Sequence, residues 1–174
     1  MKDYHLPHDW FAAPIPDNVE FGERCWIYSS YAFLHFRSHQ KVGLRIGHDT
    51  GVYVGSMFDV GPNGKVEVGD FSTLVGPIIS TNGTVTIGSY ALIAHEVVIA
   101  DHFAAVPPGD RMVGPASASV VVGDNTWIGA RVVLLSGANI GEGSIVGAGS
   151  VVDFEVKPFS VVAGNPASVV RTLR

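Results

Sequence analysis

The chain has 174 residues and a formal charge of −5, from 11 Lys+Arg against 16 Asp+Glu. This length fits one domain, and the lack of any basic run argues against nucleic acid and anionic membrane surfaces as partners. No apolar stretch approaches the ~18 residues of a membrane span. Because the N-terminus lacks the apolar core of a signal peptide and Cys25 has no second cysteine to pair with, the sequence predicts a cytoplasmic protein.

The first 14 residues precede any repeat and contain His5, His8, Trp10 and Phe11. A His-x2-His spacing offers two metal ligands without a third. Because a repeating fold exposes its core at the first turn, this segment is predicted to be a cap over that end.

A six-residue period starts at Ile15 and continues to residue 157, interrupted three times. The interruptions, at residues 35–45, 62–67 and 103–119, carry Gly, Pro or charge and are predicted to be loops that leave the repeat. Before the last of them, hydrophobic residues of the repeat stand at Ile15, Phe21, Ile27, Phe33, Ile46, Val52, Val68, Leu74, Ile87, Ile93 and Ile99.

The period is most regular after the last interruption, at Val122, Ile128, Leu134, Ile140, Val146 and Val152. Six residues suit neither a helix nor a two-faced strand, but they fit a short strand and a turn that place one aliphatic side chain inward. Three hexads would form one coil, and about seven coils would stack into a parallel β-helix on the order of 33 Å tall. Residues 158–174 are predicted to close the last coil. The period does not set the handedness, and the general rule for parallel crossovers favours the right-handed form.

Three segments carry a resemblance to a known family: VGDNTWIG at 122–129, GANIGEGSIVGAGSVV at 137–152 and VVAGNPA at 161–167. They resemble the hexapeptide-repeat acyltransferases, most of all the maltose, galactoside and nodulation O-acetyltransferases and related sugar and xenobiotic acetyltransferases. The resemblance implies an all-β, single-domain, left-handed parallel β-helix and a homotrimer. It also implies acetyl-CoA as co-substrate in the groove between subunits, where a hydroxyl or amine of a sugar or other small acceptor meets a histidine.

His102 is the predicted catalytic residue. The similar enzymes place their histidine at the root of an extended loop, and His102 directly precedes the interruption at 103–119. A neutral imidazole, with an ordinary pKa near 6.5, suits removal of the acceptor proton. His95 is the rival candidate, and Asp101 or Glu96 could orient the imidazole by accepting its other N–H.

Three residues are predicted to bind the acceptor. Asn82 stands in a Ser-Thr-Asn-Gly turn, where related enzymes often carry an acceptor-binding asparagine, although it could equally be a plain turn residue. Asp101 is expected to face substrate or solvent, because neighbours in an extended strand point opposite ways and His102 is its neighbour. Arg111 belongs to a Pro-Pro-Gly-Asp-Arg stretch that resembles the loop over the acceptor pocket.

The resemblance also implies a set of donor-binding residues. Gly129, Ala130 and Ala148 would line the pantetheine arm, since small residues allow close approach. Trp127 would lie beside the donor, or else anchor a subunit interface. Arg171 matches one of the cations that hold the CoA phosphates.

The chain departs from the family at three positions where a Lys or Arg is usual: Asp153, Phe154 and Ser168. Such cations would bind the CoA phosphates. Arg131, Lys157 and Arg174 are within reach as replacements.

Two other functions stay open. A metalloenzyme similar to the γ-class carbonic anhydrases would need three imidazoles around zinc, but the spacing of His95 and His102 differs from that family's His-x4-His. A non-catalytic scaffold or assembly subunit would use the flat faces of stacked repeats for protein contacts.

Overall fold

The computed structural model describes residues 6–101 and 119–173, which form a prism of three β-sheets. From Val19 to Gly164, consecutive strands belong to different sheets, so three strands complete one coil and the coils stack along the prism. The fold is a left-handed parallel β-helix, which confirms the predicted class. In the described residues, the helical element is a single 3-10 turn at Ser30–Phe33, and no helix is long and apolar enough to cross a membrane.

The strands fall into three sheets that we call A, B and C. Sheet A contains β1 (Val19–Phe21), β3 (Leu44–Ile46), β6 (Lys65–Val68), β9 (Thr84–Ile87), β12 (Ser119–Val122), β15 (Asn139–Ile140) and β18 (Glu155–Val156). Sheet B contains β2 (Trp26–Ile27), β4 (Gly51–Val52), β7 (Thr73–Leu74), β10 (Leu92–Ile93), β13 (Trp127–Ile128), β16 (Ile145–Val146), β19 (Ser160–Gly164) and β20 (Ala167–Thr172). Sheet C contains β5 (Met57–Val60), β8 (Ile78–Thr81), β11 (Val98–Ala100), β14 (Val133–Leu135) and β17 (Val151–Val152). Neighbouring strands are parallel except for β19 and β20.

The core follows the six-residue period. Of the hydrophobic repeat residues named from the sequence, all are buried except Phe21, which is partly exposed. In-register pairing places each inward residue on its counterpart in the next coil, as with Ile87, Val122 and Ile140. Towards the N-terminal end the core becomes aromatic, where Phe33 and Phe58 stack with ring centroids 5.7 Å apart.

Two of the predicted loops are shorter than the sequence indicates. β3 begins inside the segment 35–45, and β6 begins inside the segment 62–67. The reason is that these sheet A strands bury alternate residues, with Val66 and Val68 both inward, rather than one residue in six. At the other end, β19 extends the parallel strands beyond residue 157.

The described part of the N-terminal segment is held against the first coil. Asp9 accepts hydrogen bonds from Ser29 Oγ (2.6 Å), Ser30 N–H (2.9 Å) and Phe11 N–H (3.0 Å). Burial alone would raise the pKa of Asp9, but these donors outweigh it and hold the pKa well below its ordinary value. His8 donates from Nε2 to a backbone carbonyl at 2.8 Å and stacks on a tryptophan ring.

The turns from sheet A to sheet B, which we call the A–B corner, are linked from coil to coil by side chains. His48 N–H donates to Asp70 Oδ1 at 2.7 Å, Asp70 N–H to Ser89 Oγ at 3.0 Å, and Ser89 N–H to Asp124 Oδ1 at 2.8 Å. Each coil therefore caps a backbone amide of the coil before it.

A second series of contacts at the A–B corner is buried. Thr50 Oγ1 donates to the Gly69 carbonyl at 2.8 Å and accepts from Ser72 N–H at 3.1 Å. Ser72 Oγ repeats this one coil later, donating to Gly88 at 2.8 Å and accepting from Ala91 N–H at 3.0 Å. These hydroxyls satisfy backbone groups that the turns leave without a strand partner.

Candidate functional site

Asn82 lies at the C–A corner, where the chain passes from sheet C to sheet A. Its Oδ1 accepts a hydrogen bond from Asn63 N–H in the preceding coil at 3.0 Å. The approach requires glycine at position 61, because a Cβ on Gly61 would lie 2.5 Å from that oxygen. The half-buried Asn82 side chain is therefore fixed against the neighbouring coil.

Asp101 follows β11 and is 1% exposed. Its Oδ2 accepts hydrogen bonds from Thr81 Oγ1 (2.9 Å), Asn82 N–H (2.6 Å) and Gly83 N–H (2.9 Å). This differs from the expectation that Asp101 faces acceptor or solvent, because the carboxylate is turned inward to hold the 81–83 turn. Asp101 therefore positions Asn82.

His102 and Arg111 lie outside the described residues, so their roles stay predictions. His102 follows Asp101 in the sequence, and the chain therefore leaves β11 beside the Asn82 turn. The rival His95 is exposed and lies at another corner, in the turn between β10 and β11. The described structure thus separates His95 from Asn82.

Sequence reasoning missed a pocket of about 110 Å³ beside Asn82. Arg37 and Asp59 form an ion pair at its wall, 2.9 Å apart, and Ser80 Oγ donates to Asp59 at 3.0 Å. Arg37 was hidden because it falls in the predicted loop 35–45. The pocket places donors and acceptors together, as recognition of a hydroxylated molecule requires.

The predicted donor residues Ala130 and Ala148 lie in a cleft at the B–C corner, the turns from sheet B to sheet C. They occupy successive coils, and Ala130 C=O accepts from Gly149 N–H at 2.9 Å. Gly129 is required for this stacking, because a Cβ there would lie 2.7 Å from the amide nitrogen of Ala148. Small side chains therefore leave the backbone of two coils open to a ligand.

An exposed ion pair borders the cleft. Arg131 Nε lies 2.6 Å from Glu96 Oε2 in the neighbouring coil. Both residues have positive φ, 60° and 58°, whereas Gly76 and Gly149 occupy the equivalent turn position in the adjoining coils. The hydrogen bond and charge of the partner raise the pKa of Arg131 and lower that of Glu96. The conformation itself is shared by non-glycine residues at the A–B corner, such as Tyr90 and Asn125, so what distinguishes this corner is the charged pair beside the cleft.

Sheet B aligns Trp127 with Arg171. Trp127 pairs with Ile145, which pairs with Val161, which pairs with Arg171 on the antiparallel β20. Trp127 is half exposed and Arg171 is exposed. Three strand spacings separate them by about 14 Å on one outer face.

The positions that depart from the family contribute no cation at this face. Asp153 and Ser168 are exposed, and Phe154 packs partly against the core. Within residues 6–101 and 119–173, no group of three His, Cys, Asp or Glu side chains could hold a metal ion.

Within one chain, the candidate donor-binding residues and the candidate acceptor-binding residues lie at opposite ends of the sheet C strands. Five residues of extended chain separate Glu96 from Asp101, about 16 Å. The structure therefore groups Asn82 with Asp101, and Ala130 with Ala148, but does not bring the two groups together in a single chain.

Part of the repeat matches a known family model. Residues 119–153 match the family model of the bacterial transferase hexapeptide (six repeats). The galactoside O-acetyltransferase of Escherichia coli (strain K12) is 40% identical over 91 residues, which cover 52% of this chain and 45% of that protein. The chain spans about a quarter to a half of the length of the curated relatives it matches.

Solved structures with this fold include acyltransferases. The hexapeptide-repeat acetyltransferase VCA0836 of Vibrio cholerae, in complex with acetyl coenzyme A, is 26% identical with a TM-score of 0.62, covering 74% of this chain and 70% of that chain. A mutant of AntD, an N-acyltransferase of Bacillus cereus in complex with dTDP and coenzyme A, is 18% identical with a TM-score of 0.67, covering 89% and 84%. The second likeness shows the fold alone.

Proposed function

We propose that this hexapeptide-repeat protein is a CoA-dependent acyltransferase. It transfers an acetyl group from acetyl-CoA to a hydroxyl or amine of a sugar or other small molecule. The observation that carries the proposal is the B–C cleft, where Ala130 and Ala148 stack over open backbone beside Arg131. The similar acetyltransferase of Vibrio cholerae binds acetyl-CoA, and the similar protein of Escherichia coli is a galactoside O-acetyltransferase, which supports both substrates.

The donor is held by shape and charge. The pantetheine arm lies along Ala130 and Ala148, where small side chains let it approach the backbone. Arg131 supplies the guanidinium for a CoA phosphate, in place of the cations missing at 153, 154 and 168. Phosphate binding exchanges the exposed contact with Glu96 for a charge-assisted hydrogen bond.

The acceptor is activated by His102. Its neutral imidazole takes the proton from the acceptor hydroxyl as the oxygen attacks the thioester carbonyl. The tetrahedral intermediate then collapses with cleavage of the C–S bond, and the imidazolium returns the proton to the CoA thiolate. No covalent enzyme intermediate is needed, because the two substrates are held side by side. Asn82, positioned by Asp101, binds a neighbouring acceptor hydroxyl.

A homotrimer accounts for the separation of the two groups. One chain holds the donor cleft and the Asn82 turn about 16 Å apart, on opposite edges of sheet C. Packing the C–A corner of one subunit on the B–C corner of the next brings His102 to the acetyl group. The complete site then lies between subunits.

Calorimetric titration of acetyl-CoA tests the donor. We expect saturable binding near one molecule per chain. Arg131→Gln should raise the Kd about tenfold, since it removes a charged hydrogen bond. The matched control is Arg24→Gln, because Arg24 also has positive φ and binds a carboxylate of the next coil at 2.6 Å, but at the A–B corner.

Two outcomes of this titration would contradict different statements. No binding of acetyl-CoA to the folded protein at millimolar concentration would overturn the acyltransferase and favour the scaffold. Normal binding by Arg131→Gln would remove Arg131 from the donor site while leaving the activity in place.

Steady-state kinetics with a panel of sugar and amine acceptors tests the base. We expect His102→Ala to lower kcat by about 10²–10⁴ without loss of the fold. His48→Gln, an exposed histidine at the A–B corner, is the control. Activity of His102→Ala equal to the parent would exclude His102 from proton transfer.

A further inference from the structure

The pocket beside Asn82 contains a charged pair that the acyl-transfer proposal does not use. Arg37 precedes β3, and Asp59 lies on the outer face of β5 in the neighbouring coil. Arg37 Nη2 donates to Asp59 Oδ1 at 2.9 Å, and both side chains line the pocket together with Asn82. In the proposed trimer this corner faces the next subunit, but the contacts named here lie within one chain and hold in either state.

Both members of the pair are positioned by the chain itself. Ser80 Oγ donates to Asp59 Oδ2 at 3.0 Å, so each carboxylate oxygen has a donor. In-register pairing of β5 with β8 holds Ser80 directly beside Asp59. The backbone N–H of Arg37 donates to the Val60 carbonyl at 2.8 Å, which anchors the chain next to the guanidinium. The pair therefore presents a fixed arrangement of charge to the pocket.

The hydrogen-bonding capacity left in the pocket suits hydroxyl groups. A guanidinium has five N–H groups, and within the described residues the side chain of Arg37 contacts Asp59 through Nη2 only. Each Asp59 oxygen can accept a further hydrogen bond beside the one it has. Asn82 Oδ1 is occupied by Asn63 N–H, so Asn82 offers the N–H groups of Nδ2. Because a hydroxyl both donates and accepts, adjacent hydroxyls match this mixed set.

The pair also determines which charges the pocket accepts. A lone guanidinium would attract a carboxylate or a phosphate, and a lone carboxylate would attract an ammonium group. Here the two charges lie 2.9 Å apart, so a charged group attracted by one member is repelled by the other. To bind Arg37 fully, an anion would have to displace Asp59, which Ser80 also holds. Such a repulsive element gives specificity, because it disfavours the wrong ligand.

We propose that Arg37 and Asp59 are specificity-determining residues that select an uncharged, hydroxyl-bearing acceptor. The guanidinium donates to one hydroxyl of the acceptor, and the carboxylate accepts from its neighbour. This inference rests on the proposed acyl transfer, and it narrows the acceptor to a neutral saccharide or polyol, against a uronic acid, a sugar phosphate or an amino sugar. Neither residue takes part in the chemical step, so removing either should raise KM and leave kcat nearly unchanged.

Steady-state kinetics with two series of acceptors test the selection. Each series contains a neutral sugar, its uronic acid and its 2-amino sugar, built on glucose in one series and on galactose in the other. In at least one series, the neutral sugar should have a kcat/KM about tenfold or more above both charged members. Arg37→Gln and Asp59→Asn should each raise the KM of that sugar about tenfold, since each removes a hydrogen bond to a charged group.

The two variants should change the preference for charge in opposite directions. Asp59→Asn leaves the guanidinium without its counter-charge, so kcat/KM for the uronic acid should rise about tenfold. Arg37→Gln leaves the carboxylate alone, and the same gain is expected for the amino sugar. Arg45→Gln is the matched control, because Arg45 forms a similar ion pair with Glu20 at 3.0 Å, in sheet A and outside the pocket.

Three results would overturn the selection. The first is a parent enzyme that acetylates a uronic acid or an amino sugar as efficiently as the neutral sugar, a test that needs no variant to fold. The second is an equal loss for all three acceptors in both variants, because a merely structural pair has no preference for charge. The third is a parent that binds acetyl-CoA but acetylates neither series. Failure to bind acetyl-CoA at all would instead refute the acyl transfer itself.

Discussion

The A–B and B–C corners of the prism close the same coils in different ways. At the A–B corner, side chains such as Asp70 and Ser72 bind the backbone of neighbouring coils. At the B–C corner, Ser56 and Ser150 make the same kind of buried hydroxyl contact, but Ala130 and Ala148 occupy the outer turn position that Asp70 holds at the A–B corner, and they bind no turn amide through a side chain. The corner without these outer side-chain links is the one that carries the donor cleft.

This contrast between the corners indicates which part of a repetitive fold has room for a ligand. A side-chain hydrogen bond between coils occupies backbone groups that a ligand could otherwise bind, and it covers the surface around them. Where small residues such as Ala130 and Ala148 replace those links, the coils are joined through backbone bonds, and the outer surface is left open. The A–B corner thus carries the outer series of side-chain links, and the B–C corner carries the open surface.

The largest expected effect comes from a glycine at the A–B corner. A Cβ at Gly143, the A–B counterpart of Gly149, would lie 2.5 Å from the ring of Phe159 and would also have positive φ, so Gly143→Ala should lower the free energy of unfolding by about 3 kcal/mol. At the B–C corner, a Cβ at Gly149 would meet nothing within 4 Å. Gly149→Ala should cost only the strain of positive φ, about 1 kcal/mol. Urea unfolding at one protein concentration measures both, and equal losses would contradict the comparison.

A smaller loss is expected from the hydroxyl contacts. Ser72→Ala leaves the buried Ala91 N–H and Gly88 C=O without their side-chain partner, which should cost about 2 kcal/mol. Thr84→Ala, on the exposed face of sheet A, is the control. If the two variants unfold at the same urea concentration, the hydroxyl contacts do not stabilise the corner.

The smallest effect concerns the first turn of the B–C corner, which Asp9 covers. Because folding lowers the pKa of Asp9, the carboxylate stabilises the fold above its ordinary pKa of 3.8, and this contribution is lost as the pH falls towards the lower folded value. Asp9→Asn should therefore be less stable than the parent near neutral pH, and the difference should shrink below about pH 4.

Thermal unfolding of Asp9→Asn at pH 3 to 7 is the measurement, with the exposed Asp17→Asn as the control. A stability difference that stays constant across this range would show that Asp9 does not act through its charge.

The sequence predicts the inward residues well, because packing one aliphatic side chain per hexad leaves a visible period. It fails at β6, where Val66 and Val68 alternate with charged residues and the preceding Pro62 and Gly64 resemble a turn. A strand that buries two residues in four does not repeat with a period of six. The period therefore indicates three strands per coil, but it does not predict how long each strand is.

The contacts of the candidate functional site were harder to predict from the sequence, because they join residues of neighbouring coils. Asp101 binds residues 81–83, which stand 18 to 20 positions earlier, one coil away. The predicted coil length of about 18 residues contained this information, since it places position 101 above the Asn82 turn. Local alternation instead suggested an outward Asp101. The approach of Arg37 to Asp59, in contrast, has no signal in the repeat.

The antiparallel strand β20 has a consequence for self-association. A stack of parallel coils exposes unpaired backbone groups at its last coil, and these could accept the first coil of another molecule. β20 covers β19, the last parallel strand of sheet B, and runs against the direction that another coil would need. Its reversed direction therefore opposes end-to-end growth of the prism into a filament, and removing residues 167–173 would leave an edge suited to templated polymerisation.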